Sequence, residues 1–347
     1  MLENAEIKFL PRGARRVAYE TRGDGPPLVA AAWWVSHLEL DWQSSGFRRF
    51  WEGVADGFTF IRYDRLGVGM SDRTLHASDL TLDEEVAKLG ALLDELELER
   101  VSLLGGSCGS CTAIAFAAAY PERVERLVLY GSYADGSSIT PPGVGNAIVE
   151  AVRTHWGLGS RLLTDIFLGG ADPAEQGNFA RIQREAATAE TAAELLDFVY
   201  RLDVRGHLGL VRSPTTVVHR RDDGAVPFEL GRAVAAAIPG ATFVPLQGRA
   251  HFPWHGDVDS VARACREALA PARSTPERAR GSEPVLLSDR ERQILACVAR
   301  GLNDREIAEQ LVLSPHTVHR HVANIRRKLG RTSRTAAVAE AARLGIL

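Results

Sequence analysis

Over the first 270 residues, short apolar runs of strand type alternate with longer stretches of helical period. The strand candidates are EIKFL, RRVAYET, PLVAAAW, FTFIRYD, RVSLLGGS, RLVLYGS, TTVVHRR and ATFVPLQ. Helical stretches follow several of them, LDEEVAKLGALLDEL and CTAIAFAAAYPERV among these. Such alternation predicts a mostly parallel, eight-stranded sheet with helices on both faces. Residues 134–205 break the rhythm, with helical composition and no convincing strand. An insertion after a strand, on the side where strands end, predicts a helical cap over a pocket.

The stretch APARSTPERARGSEP, residues 270–284, has no apolar period, and residues 271–285 read as an exposed linker. Residues 286–347 then hold four short helical patterns with explicit start signals. Ser288 and Glu291 form a capping box, and Asn303 with Glu306 a variant of it. Leu302 with Ile307, and Leu313 with Val318, have hydrophobic-staple spacing. Ser314 before Pro315 is an N-cap with proline at the first helical position. Ser333 or Thr332 opens the last helix, and Gly345 lies beyond its end. On the helix from 315 to 329, Val318, Val322, Ile325 and Leu329 share one stripe at about 100° per residue. His316, Arg320, Ala323 and Arg327 lie opposite, with His319 at the flank.

The net charge of −3 conceals a division. Residues 1–270 carry 27 Lys and Arg against 36 Asp and Glu, whereas residues 286–347 carry 11 against 6. An acidic body with a basic tail points to nucleic acid as the tail's partner. Arginine abundance alone is not that signal, because Lys8, Lys88 and Lys328 are the chain's only lysines. No apolar run of about 18 residues predicts a membrane span, and MLENAEIKFLPRGARR lacks the layout of a secretory signal. The expected location is the cytoplasm, where thiols stay reduced. Cys108, Cys111, Cys265 and Cys297 make no disulfide framework there.

The segment LLGGSCGSCTAIAF, residues 103–116, admits two chemistries. In one, Gly105 and Gly109 flank Ser107 in a Gly-x-Ser-x-Gly turn between a strand and a helix rich in small residues. The helix N-terminus then aims its amides at developing negative charge. Downstream, VVHRRDDGAVP places Asp223 just past a strand, and VPLQGRAHFPWHGD places His251 in the loop after the final one. His251 would take the serine proton, and Asp223 would orient the imidazole. Asp222 and His255 are the rival acid and base. In the other chemistry, Cys108 and Cys111 form a Cys-x-x-Cys pair at a helix start, where a thiol pKa falls. Two cysteines do not complete a zinc site, so no metal and no other cofactor is expected. The serine reading explains Gly105, Gly109, Asp223 and His251 together, whereas the redox reading explains none of them.

With these residues, and with RYDRLGVGMSD and YPERVERLVLYGS, the chain from about 15 to 270 resembles an α/β hydrolase. The resemblance implies a structural role for Asp64. It also implies two oxyanion donors, the amide of Cys108 and one after the third strand, here that of Trp34. The family's usual His-Gly is replaced by Ala32 and Trp33 in LVAAAWWVSHLELDW. Trp33, Trp34 and Trp254 are expected to shape an aromatic pocket for an apolar ligand. The tail resembles a LuxR/GerE-type helix-turn-helix along its whole length, including GLNDREIAEQL and SPHTVHRHVANIRRKLG. Its 315–329 helix suits the major groove, with small Ala323 allowing close approach. Arg320 is the candidate for a guanine contact, and His319 for base edges. Thr317, Arg327 and Lys328 are assigned to phosphates. Dimerisation through the last helix would use Ala336 to Leu344.

Together these expectations describe a homodimeric regulator of transcription on double-stranded DNA. Its hydrolase-like domain would sense a small apolar, ester- or lactone-like ligand. The competing expectation is an active serine hydrolase of ester or lactone bonds whose tail couples turnover to gene control. The triad favours the second, and the Ala32-Trp33-Trp34 loop the first.

Overall fold

The computed structural model describes residues 6–270, 287–311, 313–329 and 333–343. The predicted linker, Thr332 and Gly345 lie outside the described residues. The chain divides between Pro271 and Ala272 into two compact units.

The first unit begins with β1 (Ile7–Arg12), β2 (Arg15–Arg22), β3 (Pro27–Ala31), α1 (Ser45–Ala55) and β4 (Thr59–Tyr63). It continues with α2 (Leu82–Glu95), β5 (Val101–Gly106), α3 (Cys108–Ala119) and β6 (Val124–Tyr130). A helical insertion follows, made of α4 (Pro142–Thr154), α5 (Trp156–Leu168), α6 (Pro173–Ala186), α7 (Ala189–Arg201) and the one-turn α8 (Arg205–Leu208). An isolated bridge between Asp135 and Asp203 pinches its base. The unit ends with β7 (Thr215–Arg220), α9 (Phe228–Ala237), β8 (Thr242–Leu246) and α10 (Val258–Leu269).

The eight expected strands form one sheet in the order β1-β2-β4-β3-β5-β6-β7-β8. Pairing is antiparallel at β1–β2 and β2–β4 and parallel from there on. Successive residues of the inner strands feed opposite cores. On β6, Leu127 and Leu129 join Leu89 of α2 and Phe116 of α3, while Val128 and Tyr130 join Trp51 of α1 and Val261 of α10. Burial on both faces is why these strands read as apolar runs rather than as alternation.

Three charged residues at and just beyond the end of β4, Arg62, Asp64 and Arg65, shape the loop after β3. Arg62, buried, donates to Asp41 at 2.6 Å, to Glu20 at 2.5 Å and to the Leu38 carbonyl at 2.7 Å. Asp64 accepts from the Leu38 amide at 3.0 Å, the Met70 amide at 2.8 Å and the Ser36 hydroxyl. Arg65 reaches the Ala32 carbonyl at 2.9 Å while pairing with Glu85 at 2.8 Å. Asp64 thus organises backbone, and Gly69 answers it: at φ +57, a Cβ there would lie 1.9 Å from the Asp64 carboxylate.

The second unit holds α11 (Asp289–Ala299), α12 (Asp304–Leu311), α13 (Pro315–Lys328) and α14 (Arg334–Arg343). The Ser288–Glu291 capping box closes with bonds of 2.7 and 3.2 Å. Asn303 caps α12 by accepting from the Arg305 and Glu306 amides, each at 3.0 Å. Ser314 accepts from the Thr317 amide at 3.0 Å to start α13. Val318, Val322, Ile325 and Leu329 enter the core with Ile294, Leu295 and Ile307. The predicted stripe is the buried one.

Candidate active site and nucleic-acid interface

Strand β5 delivers Ser107 to a turn so tight that its backbone sits at φ 52, ψ −129. A non-glycine residue there is strained, and persists only where the surroundings over-determine it. Its amide donates to the Tyr130 carbonyl at 2.9 Å, and its carbonyl accepts from the Ser110 amide at 2.9 Å. The flanking glycines permit close packing. A Cβ on Gly105 would lie 2.7 Å from Ser110 Cα, and one on Gly109 would lie 2.6 Å from the Ala31 carbonyl oxygen. Among the described residues, neither the Cys108 nor the Trp34 amide donates to a protein acceptor.

Asp223 follows β7, and its Oδ1 accepts from the Ala225 and Val226 amides at 2.9 and 3.0 Å. His251 Nδ1 lies 2.9 Å from Asp223 Oδ2 and 3.1 Å from Oδ1, with both side chains buried. Burial would raise the Asp223 carboxyl, but the His251 charge and hydrogen bond hold it below the ordinary carboxylate value. His219 stands behind it, with Nε2 3.0 Å from the Val226 carbonyl and 3.6 Å from Asp223 Oδ2. Burial pushes that imidazole down, against the pull of the Asp223 charge.

Sequence reasoning missed what holds the His251 loop. Arg220, at the end of β7 and buried, donates to four carbonyls that bracket His251. They are Ala250 at 2.7 Å, Phe252 at 3.2 Å, His255 at 2.7 Å and Asp257 at 3.1 Å. The His251 amide donates to the Phe167 carbonyl of α5 at 2.6 Å. The doubled arginine of HRRDD was the only available signal, and it does not say which of the two turns inward.

The rivals are placed elsewhere. Asp222 is exposed, and His255 Nδ1 pairs with Glu175 of α6. Cys108 and Cys111 are fully buried free thiols, and burial raises both above the ordinary thiol value. No group of three or more His, Cys, Asp or Glu gathers as a metal site among the described residues.

Ser107 and His251 open into a cavity of about 200 Å³. Trp34 lines it on the sheet side, with Val144, Ile148, Leu163, Phe167 and Leu196 from the insertion. The other two tryptophans do not line this cavity, which corrects the expectation. Trp33 and Trp254 pack into the opposite core, their rings tilted and 5.0 Å apart by centroid, beside Phe47. They border a slit of about 10 Å³ that reaches Ser107 and His251 from that side, and a second pocket of about 30 Å³ beside Phe47, Glu175 and His255. Aromatic mass near β3 was legible, but which face each indole takes follows from the loop's path.

On α13, His319, Arg320 and Ala323 are exposed. His319 Nδ1 lies 3.2 Å from Asp304 Oδ2, and Arg334, which sequence reasoning also missed, donates to the other oxygen at 2.7 Å. The side chains of His316 and Arg327 lie outside the described residues, as does Leu344. Two phosphate assignments meet competing partners. The Lys328 ammonium pairs with Glu291 at 2.7 Å, and the Thr317 hydroxyl shares a 2.8 Å bond with Ser314. Within the expected dimer stretch, Ala337 and Ala341 face the unit's own core.

The profile of a family described as alpha/beta hydrolase fold matches residues 42–255. That of bacterial regulatory proteins, luxR family, matches residues 285–341. The 2-hydroxy-6-oxononadienedioate/2-hydroxy-6-oxononatrienedioate hydrolase of Cupriavidus pinatubonensis (strain JMP 134 / LMG 1197) is 32% identical over 205 residues, covering 54% of this chain and 68% of that protein. The 2-hydroxy-6-oxo-6-phenylhexa-2,4-dienoate hydrolase of Burkholderia cepacia is 25% identical over 288 residues, covering 78% of this chain and 93% of that protein. An esterase from Exiguobacterium antarcticum shares the fold, with a TM-score of 0.66 at 19% identity over 76% of this chain and 99% of its own. The chain therefore belongs to the α/β hydrolase fold family and carries a C-terminal domain of the bacterial LuxR regulatory family.

Proposed function

We propose that this protein is a DNA-binding transcription regulator whose α/β hydrolase domain senses a small apolar, ester- or lactone-like ligand. The observation that carries the reading is the pairing, in one chain, of a LuxR-family domain with an apolar cavity lined by Ser107 and His251. The protein acts in the cytoplasm, where its DNA is, as a homodimer on double-stranded sites. Among the described residues, no helix is long and apolar enough to cross a membrane. Regulation requires the ligand to bind the DNA-competent and incompetent arrangements unequally.

The Asp223–His251 pair and the strained Ser107 favour a second reading, in which the ligand is also hydrolysed; the relatives named above are themselves hydrolases. Ser107 Oγ would attack the carbonyl as its proton passes to His251, with the Cys108 and Trp34 amides receiving the oxyanion. His251 would protonate the departing alcohol oxygen, and water would then release the acid. An ester and lactone panel scored together for hydrolysis and for altered DNA affinity separates the two readings.

The tail makes its own prediction. Affinity of the full chain for a short duplex carrying its operator falls on the order of 10³-fold between 50 and 200 mM salt. Arg320→Ala relaxes sequence preference at one base pair, costing about 1–3 kcal/mol there. Competition between duplexes measures both. Binding indifferent to salt, or an unchanged preference in the variant, contradicts the assignment.

A further inference from the structure

We infer that the cavity at Ser107 takes an uncharged ligand bearing one carbonyl for the serine side and a second neutral oxygen for the cap side, and that Thr140 and Tyr200 read that second oxygen. The inference rests on the ligand-sensing reading above and narrows it. Polar groups line the cavity in two places. Ser107 and His251 stand on the sheet side, while Thr140 and Tyr200 come from the insertion, just before α4 and near the end of α7. The latter two converge on Gly145 of α4, where a Cβ would lie 3.4 Å from Thr140 Cγ2 and 3.5 Å from the Tyr200 ring. Neither hydroxyl has a hydrogen-bond partner among the described residues, and both residues are half-buried. Each is thus free to donate to, or accept from, a ligand oxygen.

The rest of the lining decides the charge. Among the described residues, no Asp, Glu, Lys or Arg lines the cavity, and Ile148, Leu163, Leu196 and Val199 supply much of its wall. A carboxylate entering would shed its hydration with no Lys or Arg to meet. The Asp223 carboxylate, 2.9 Å behind the His251 ring nitrogen, adds like charge nearby. Burial pushes the Tyr200 hydroxyl up to about 12, so it stays protonated at physiological pH. Two neutral hydroxyls suit an alcohol, ketone or ester oxygen. A site built to hydrogen-bond an oxygen also discriminates against the analogue that lacks it.

Three probes differ only at the far end: 2-octanone, 8-hydroxy-2-octanone and 7-oxooctanoate. Their binding to the full chain is measured by calorimetry without DNA, at about pH 8, above the ordinary imidazole range. The hydroxyketone binds about fivefold tighter than 2-octanone, and the keto acid at least about tenfold weaker than the hydroxyketone. In the Thr140→Val/Tyr200→Phe double variant the hydroxyl advantage disappears, and the two ketones bind with equal affinity. The inference is overturned if the keto acid matches the hydroxyketone, if the advantage survives in the variant, or if no ketone binds. The wild-type comparison stands even if the double variant fails to fold, and Tyr200→Phe alone then reports the phenol's share of the advantage. Because no DNA is present, ketone binding without any effect on DNA affinity would sink the sensing reading and leave this one intact.

Discussion

Ser107→Ala abolishes covalent capture of a fluorophosphonate probe, and His251→Ala slows capture by about 10²–10⁴-fold. The first follows from chemistry, since the probe needs an activated oxygen. The second follows from the proposed roles: His251, whose Nδ1 lies 2.9 Å from Asp223 Oδ2, lines the same cavity as Ser107 and would take the serine proton through its other nitrogen. Asp223→Asn keeps the shape and reverses the hydrogen-bond preference, so it slows capture by up to about 10⁴-fold through the wrong tautomer. Mass spectrometry of the labelled peptide locates the adduct, and circular dichroism confirms that each variant is folded. Labelling of the Ser107→Ala chain, or undiminished labelling in His251→Ala, contradicts the assignment.

Arg220→Met lowers the stability of the first unit by about 3–5 kcal/mol, because it strips the partners from four buried carbonyls. All six tryptophans precede residue 271, so indole fluorescence in urea follows that unit alone. Arg220→Lys is the gentler test. A single ammonium offers three donors and no planar fork, so it cannot span carbonyls on both sides of His251. Hydrogen exchange of residues 250–257 then rises by at least about tenfold, while α3 stays protected. Uniform loosening throughout the unit would mean that Arg220 only supports the fold; local loosening, with slower fluorophosphonate capture, means that it positions His251.

The sheet was legible because each inner strand is buried on both faces and bounded by turn residues, which leaves unbroken apolar runs. Ser107, Asp223 and His251 were legible because each sits at a strand end, where order along the chain maps onto one edge of the sheet. The cavity wall was not. Val144, Ile148, Leu163 and Leu196 look like any inward stripe of a helix, and only the packing of α4, α5 and α7 turns them toward Ser107. Arg220 left no trace because its partners are backbone carbonyls, which every sequence contains. Lys328 has a partner that left no trace for a related reason. Its position on α13 suits a phosphate, and Glu291, half of a capping box on α11, lies 2.7 Å away. The Cys108–Cys111 spacing carries no information about burial, and burial is what removes both thiols from redox chemistry.

Sensing and DNA reading in one chain imply linkage, which must be reciprocal. The decisive measurement takes the full chain and an 8-hydroxy-2-octanone titration, with DNA affinity followed by fluorescence anisotropy at fixed salt. Saturating ketone changes the DNA dissociation constant by about 5–150-fold, and operator DNA changes the ketone affinity by the same factor. Tight binding of both partners with neither altering the other would contradict the proposal that this hydrolase-fold domain controls the helix-turn-helix.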